Sequence, residues 1–240
     1  MKNIIKICLS AVMILVLTVS AVACTAAPTG KAAYDPTKTG KGEDVKMTEV
    51  RKEIDSMKVE EFVASEQQSD YVLIDVKDYG KIVVVLRRDI APKTVANFKK
   101  LVAEDFYTGT VFHRVMEDFM VQAGGFEPKD GKHVQKKADT IKGEFTFNGF
   151  TNNLTHVRGV LAMARVGGMN DSASSQFYIV HETNYSTMSL NYDYATFGYV
   201  LAGMDVVDAI ATCKVDNTNP DSPKPVVDII INSVSFVEPK

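Results

Sequence analysis

Phe112-His113-Arg114-Val115-Met116-Glu117-Asp118-Phe119-Met120-Val121-Gln122-Ala123-Gly124-Gly125 is the stretch that decides how this chain is read. Val111, His113 and Val115 share one face of a strand, and Phe112 and Arg114 share the other. His113 falls among apolar neighbours and reads as a hydrogen-bonded core histidine, not as a base. Arg114 on the opposite face is, by residue type alone, a solvated surface cation. Its significance depends on what surrounds the segment.

Outward from that stretch, the chain is a series of short strands and glycine-rich turns between two helices. Upstream, Tyr71–Val76 and Ile82–Leu86 are rich in β-branched residues and flank the turn Asp78-Tyr79-Gly80-Lys81, the pattern of a hairpin. Pro92 opens a helix, because its missing N–H costs nothing at the first helical position. Val95, Phe98, Leu101 and Val102 give that helix one apolar face. Downstream, Met204–Ala211 is a second helix with Met204, Val207 and Ile210 on one side, and 226–237 is a closing strand region. Many strands with two helices predict a barrel or sandwich with helical covers.

Two further segments follow in order: Gly159-Val160-Leu161-Ala162-Met163-Ala164-Arg165 with Ser172-Ala173-Ser174-Ser175-Gln176-Phe177-Tyr178-Ile179, and Tyr194-Ala195-Thr196-Phe197-Gly198-Tyr199-Val200 with Gly203-Met204-Asp205-Val206-Val207-Asp208. Together with the first stretch these resemble the cyclophilin family, from about Tyr71 to Val237. Thr140-Ile141-Lys142-Gly143-Glu144-Phe145 and Asn148-Gly149 are similar to its bacterial branch. The resemblance implies a mainly β domain over residues 70–238, a closed antiparallel eight-stranded β-barrel capped by two α-helices. It also implies peptidyl-prolyl cis–trans isomerase activity on proline-containing polypeptides, carried out without metal or cofactor by a monomer.

The same resemblance assigns residues. Arg114 is the catalytic arginine, and Gln122 holds the substrate backbone and orients it. Phe119, Met120, Tyr178 and Leu190 form the apolar proline pocket, with Tyr194 at its end. Ala164, Arg165 and Gln176 line the groove for residues before proline, while Met163 and Phe177 are core. The chain departs from the eukaryotic pattern in three places. Tyr194 stands where histidine is common. Ser189 stands where tryptophan precedes the pocket leucine, and this chain has no Trp, so weak cyclosporin binding is expected. Arg165 replaces asparagine and adds a charge that favours acidic residues near the proline.

The N-terminus reads as an address. Lys2 and Lys6 precede an apolar run that is short for a membrane span, which needs roughly 20 apolar residues. It ends in Ala21-Val22-Ala23-Cys24, the form of a secretory signal at 1–23. Small residues directly before a cysteine resemble a lipobox, which implies lipidation of Cys24 and a domain held on the extracytoplasmic side of the membrane. Ala21 stands where leucine is commonest. Residues 24–69 follow as a tether, polar and rich in Pro and Gly. From Met47 to Phe62 a short helical pattern (Val50, Ile54, Met57) either packs on the domain or belongs to the tether, and a solvated spacer is the preferred of the two readings.

Composition sets the exclusions. A net charge of −3 gives no general basic face for nucleic acid. The cysteines are Cys8, Cys24 and Cys213, with no CxxC, so neither a disulfide framework nor a zinc site is expected. Ser174, Ser175 and His181 form no hydrolase motif of the G-x-S-x-G kind. The remaining alternative is a non-catalytic proline-peptide-binding chaperone or adaptor at the cell envelope.

Overall fold

The computed structural model describes residues 45–240. The expected signal at 1–23, the expected lipidation site Cys24 and the expected tether up to residue 44 lie outside the described residues. In chain order the elements are α1 (Met47–Glu53), β1 (Phe62–Ala64), β2 (Tyr71–Val76), β3 (Gly80–Leu86), α2 (Pro92–Ala103), β4 (Arg114–Met116), β5 (Met120–Ala123), β6 (Phe126–Lys129) and β7 (Lys132–Gln135). There follow β8 (Val160–Met163), β9 (Phe177–Val180), α3 (Tyr185–Met188), β10 (Thr196–Ala202), α4 (Met204–Ala211), β11 (Val215–Asp216), β12 (Lys224–Pro225) and β13 (Ile231–Pro239). Among the described residues no helix is long and apolar enough to cross a membrane.

The hairpin and both expected helices form as the residue pattern predicts. Val72 and Ile74 of β2 pair with Val84 and Ile82 of β3 and are fully buried. Asp78 and Gly80 make the turn with positive φ. In α2 the capping residue Ala91 offers no side-chain bond. The buried carboxylate of Glu144 supplies it instead, accepting the N–H groups of Lys93 (3.0 Å) and Thr94 (2.8 Å). A carboxylate there also opposes the positive end of the helix dipole. Gly203 precedes α4 with φ +94°, and a Cβ there would lie 2.3 Å from the Lys81 carbonyl oxygen. Glycine alone permits this approach of the helix to β3.

The main sheet has nine strands in the order β1-β13-β2-β3-β10-β8-β9-β5-β4. This corrects the expected closed eight-stranded barrel with two helices: among the described residues there are four α-helices and the sheet does not close. Its seam is a single bridge, Val111 to Ile230. Gly109 and Phe112 donate to Ile231 and Ile229, and Ile231 donates to Thr110, but no ladder continues on either side. The closing strand also starts later than its alternation suggested. Ile229 and Ile231 are buried, whereas Val226 and Val227 are exposed.

Residues 47–64 are not a solvated spacer. Helix α1 is short, ending where Asp55 turns to φ +55°. Beyond it Asp55 and Met57 donate their N–H groups to Val200 and Leu201 of β10. The Asp55 carboxylate accepts the N–H groups of Gly203 and Met204, both at 3.1 Å, and so caps α4. The Tyr199 hydroxyl donates to Glu53. β1 pairs with the end of β13, and Val50 and Phe62 are buried. This strap joins an apolar cluster that also contains Met120, Tyr178 and Val180, with Phe119, Leu190 and Tyr194 packed against it.

Candidate active site

Strand register places the expected catalytic side chains in one row. Arg114 on β4 stands opposite Gln122 on β5, Gln122 opposite Tyr178 on β9, and Tyr178 opposite Ala162 on β8. Residues opposite one another point to the same sheet face. The tight turn between β4 and β5, with Asp118 at φ +61°, brings Phe119 beside them.

These residues surround a pocket of about 180 Å³ lined by Arg114, Phe119, Met120, Gln122, Ala164, Arg165, Tyr178, Leu190 and Tyr194. A cavity of about 150 Å³ suffices for a benzene ring, so one proline ring fits. Met120 and Tyr178 are buried, and Leu190 enters from the residue pair after α3. Of the residues expected to catalyse or bind substrate, only Gln176 is absent from the lining. Its Oε1 instead accepts from Gln122 Nε2 at 3.0 Å. A Cβ at Gly125 would sit 2.2 Å from Gln176 Cγ, so glycine leaves room for the side chain that holds Gln122.

Arg114 is held from several sides. Its Nε donates to the Asp221 carbonyl oxygen at 2.9 Å, and Nη1 lies 3.4 Å from Gln122 Oε1. The guanidinium sits 5.7 Å from the centre of the Phe119 ring. Burial lowers its pKa, and an arginine remains a cation in any case. A guanidinium has five N–H donors in a fixed fork, more than these acceptors use.

Arg165 corrects one expectation. Its guanidinium is a covered part of the wall, not an open charge in the groove. It is stacked 5.0 Å from the Phe145 ring and 4.8 Å from that of Tyr194. Nε donates to the Asp193 carbonyl oxygen at 2.9 Å, Nη2 lies 3.5 Å from the Asp193 carboxylate, and the side chain is 8% exposed. The charge is matched from within, which removes the reason to expect a preference for acidic substrates.

His113 lies against Phe126, ring centres 4.6 Å apart, and burial pushes its pKa down to about 4. It is half-buried rather than core, and its Nδ1 has no hydrogen-bond partner, which departs from the expected hydrogen-bonded core histidine. Met163 and Phe177 are core. Ser189 is exposed and its hydroxyl donates to Ser186 at 2.7 Å, not into the pocket. No hydrogen bond joins His181 to Ser174 or Ser175 among the described residues. His181 Nδ1 accepts from the Asp118 N–H at 3.0 Å, and its Nε2 is 3.3 Å from Asp208. Sequence reading missed Asp221, which anchors Arg114, and His156 and Asn191, which stand behind Tyr178. Each meets its partner only through the fold, and no local spacing announces it.

Comparison with known proteins agrees with this geometry. The family model for cyclophilin type peptidyl-prolyl cis-trans isomerase matches residues 71–236. Peptidyl-prolyl cis-trans isomerase B of Escherichia coli is 40% identical over 166 residues, 67% of this chain and 96% of that protein. A peptidyl-prolyl cis-trans isomerase of Acinetobacter baylyi is 39% identical over 165 residues, covering 65% of this chain and 82% of the relative. A Cryptosporidium parvum cyclophilin type isomerase, solved in the presence of the dipeptide Ala-Pro, superposes with TM-score 0.56 at 27% identity over 69% of this chain and 98% of its own. Every pocket residue falls within the matched span, and this chain belongs to the cyclophilin-type peptidyl-prolyl cis–trans isomerase family.

Proposed function

We propose that the pocket around Arg114 accelerates cis–trans isomerisation of X–Pro bonds in exported polypeptides. The uncatalysed barrier is about 18–20 kcal/mol, because the amide's partial double bond must break. No covalent step is required. The reaction needs a dry wall that grips the proline ring and a donor that favours the twisted, pyramidal nitrogen over the planar amide. Phe119, Met120, Tyr178 and Leu190 supply the wall. Arg114 supplies the donor and is preorganised by Asp221 and Gln122, so little reorganisation accompanies the twist. Its placement at the pocket is the observation that carries the reading, since a module that only binds peptide has no need of a held guanidinium there.

The test is the rate of cis-to-trans conversion of an Ala-Pro peptide. Arg114→Ala is expected to lower kcat by roughly 100-fold or more, the usual cost of losing one preorganised donor. Arg114→Lys is expected to restore little, because an ammonium lacks the planar fork. A folded wild-type protein that binds the peptide without accelerating it would favour the chaperone or adaptor reading.

The location belongs to the same proposal. The basic start, the apolar run and the Ala21-Val22-Ala23-Cys24 sequence support export and a lipid on Cys24. The clients are then polypeptides folding outside the cytoplasm.

A further inference from the structure

Tyr178 carries a hydroxyl into a wall that is otherwise apolar, and that hydroxyl lies 2.9 Å from His156 Nε2. On the far side of the imidazole, Nδ1 lies 2.9 Å from Asn191 Oδ1. The same oxygen accepts the main-chain N–H of His156 at 2.8 Å. An N–H can only donate, so this atom of Asn191 acts as an acceptor, and Nδ1 must carry the ring proton. Nε2 is left with a lone pair, and the Tyr178 hydroxyl donates to it. Burial keeps both groups neutral near pH 7, pushing His156 down to about 4 and Tyr178 well above the ordinary phenol value.

We propose that Asn191 and His156 are positioning residues of the isomerase, fixing the Tyr178 ring as a wall of the proline pocket; this rests on the isomerase reading above. The relay joins two walls that come from separate elements. Tyr178 belongs to β9. Asn191 directly follows the pocket residue Leu190, and its Nδ2 contacts Met188 Sδ of α3 at 3.8 Å. The His156 and Tyr178 rings lie nearly parallel, 17° apart, and Tyr178 meets Tyr194 edge-on at 80°. Removing the imidazole leaves a buried hydroxyl without an acceptor, and the ring must move to satisfy it. The wall grips proline alike in the ground state and the transition state. Its displacement therefore raises KM and leaves kcat nearly unchanged, whereas loss of Arg114 lowers kcat.

The experiment compares wild type, His156→Phe, Tyr178→Phe and the double variant in the full chain. Steady-state kinetics on an Ala-Pro peptide are measured beside the affinity for the same peptide by NMR titration. His156→Phe is expected to raise KM and peptide Kd about tenfold with kcat within about twofold, the scale of a small misplacement at a binding wall. Adding Tyr178→Phe removes the stranded hydroxyl and is expected to bring KM back towards wild type. A lower melting temperature with KM and Kd unchanged would make His156 merely structural and overturn the proposal. So would strictly additive losses in the double variant. If His156→Phe does not fold, Asn191→Ala releases the ring proton's acceptor while keeping the imidazole. It is expected to raise KM about threefold at constant kcat, and an unchanged KM counts against the relay. If the wild type shows no turnover, the isomerase reading fails, and the ratio of peptide Kd values still decides the relay.

Discussion

Two imidazoles are held neutral, the half-buried His113 beside Arg114 and the buried His156 behind Tyr178, and burial lowers both to about 4. The unfolded chain takes up these protons near pH 6.5, and the folded protein only near pH 4. Between those values the unfolded state binds more protons, so stability falls as pH falls. The contribution is fully present above pH 6.5 and is lost on the way to pH 4, roughly 2–4 kcal/mol for each histidine. Thermal melts at pH 7, 5.5 and 4.5 are expected to show a progressive drop in Tm that is smaller in His156→Gln. A flat Tm over that range would show that the two rings are not held neutral. Ser189 leads to a second expectation. Its hydroxyl closes on Ser186 and gives no donor to the pocket edge, so cyclosporin is expected to inhibit only weakly; sub-micromolar inhibition in the peptide assay would contradict this. At this scale the pocket was legible because Arg114, Phe119, Met120 and Gln122 lie within one short run of sequence. The partners of Arg114, Arg165 and Tyr178 stand 107, 28 and 22 positions away, and no local pattern encodes such pairings.

Among the elements, α2, α4 and the β2–β3 hairpin follow from period and punctuation, Pro92 at a helix start and Asp78 to Gly80 at a turn. The strap at 47–64 does not. Its charged residues look solvated, and only the fold shows that Val50 and Phe62 are buried and that Asp55 caps a helix 148 residues downstream. Full burial of one such side chain is worth about 1.5–3 kcal/mol. A chain beginning at Asp70 is therefore expected to be at least about 3 kcal/mol less stable than one beginning at Val45, read as a lower urea midpoint at a similar slope. Equal midpoints would mean that the strap is a passenger. The strap shares its apolar cluster with Met120 and Tyr178, so peptide turnover by the shorter chain is expected to fall as well.

On the scale of the whole molecule, the proposal is an isomerase held at a membrane by its first residue after processing. Cys24→Ser is expected to abolish incorporation of labelled palmitate and to move the protein from the membrane fraction to the soluble one. A single acyl chain binds only marginally and two hold firmly, so partial release would point to incomplete acylation. Unlabelled wild-type protein cleaved elsewhere would remove the anchor from the proposal. The architecture was legible as a family resemblance, while the missing closure was not. It depends on how few bonds the 109–112 and 229–231 segments exchange, a property of three-dimensional fit.

The pairing of β1 with β13 has one more consequence. A bare strand border, with its N–H and C=O groups unpaired, is a template on which another extended chain can add. β1 occupies that border at 237–239, and Ser65 donates to Phe236 just before it. A protein that handles unfolded polypeptides works among extended chains ready to add to such a border. β1 takes up the main-chain groups of β13 at 237–239 from within the chain, so that stretch of the border is closed to an added strand.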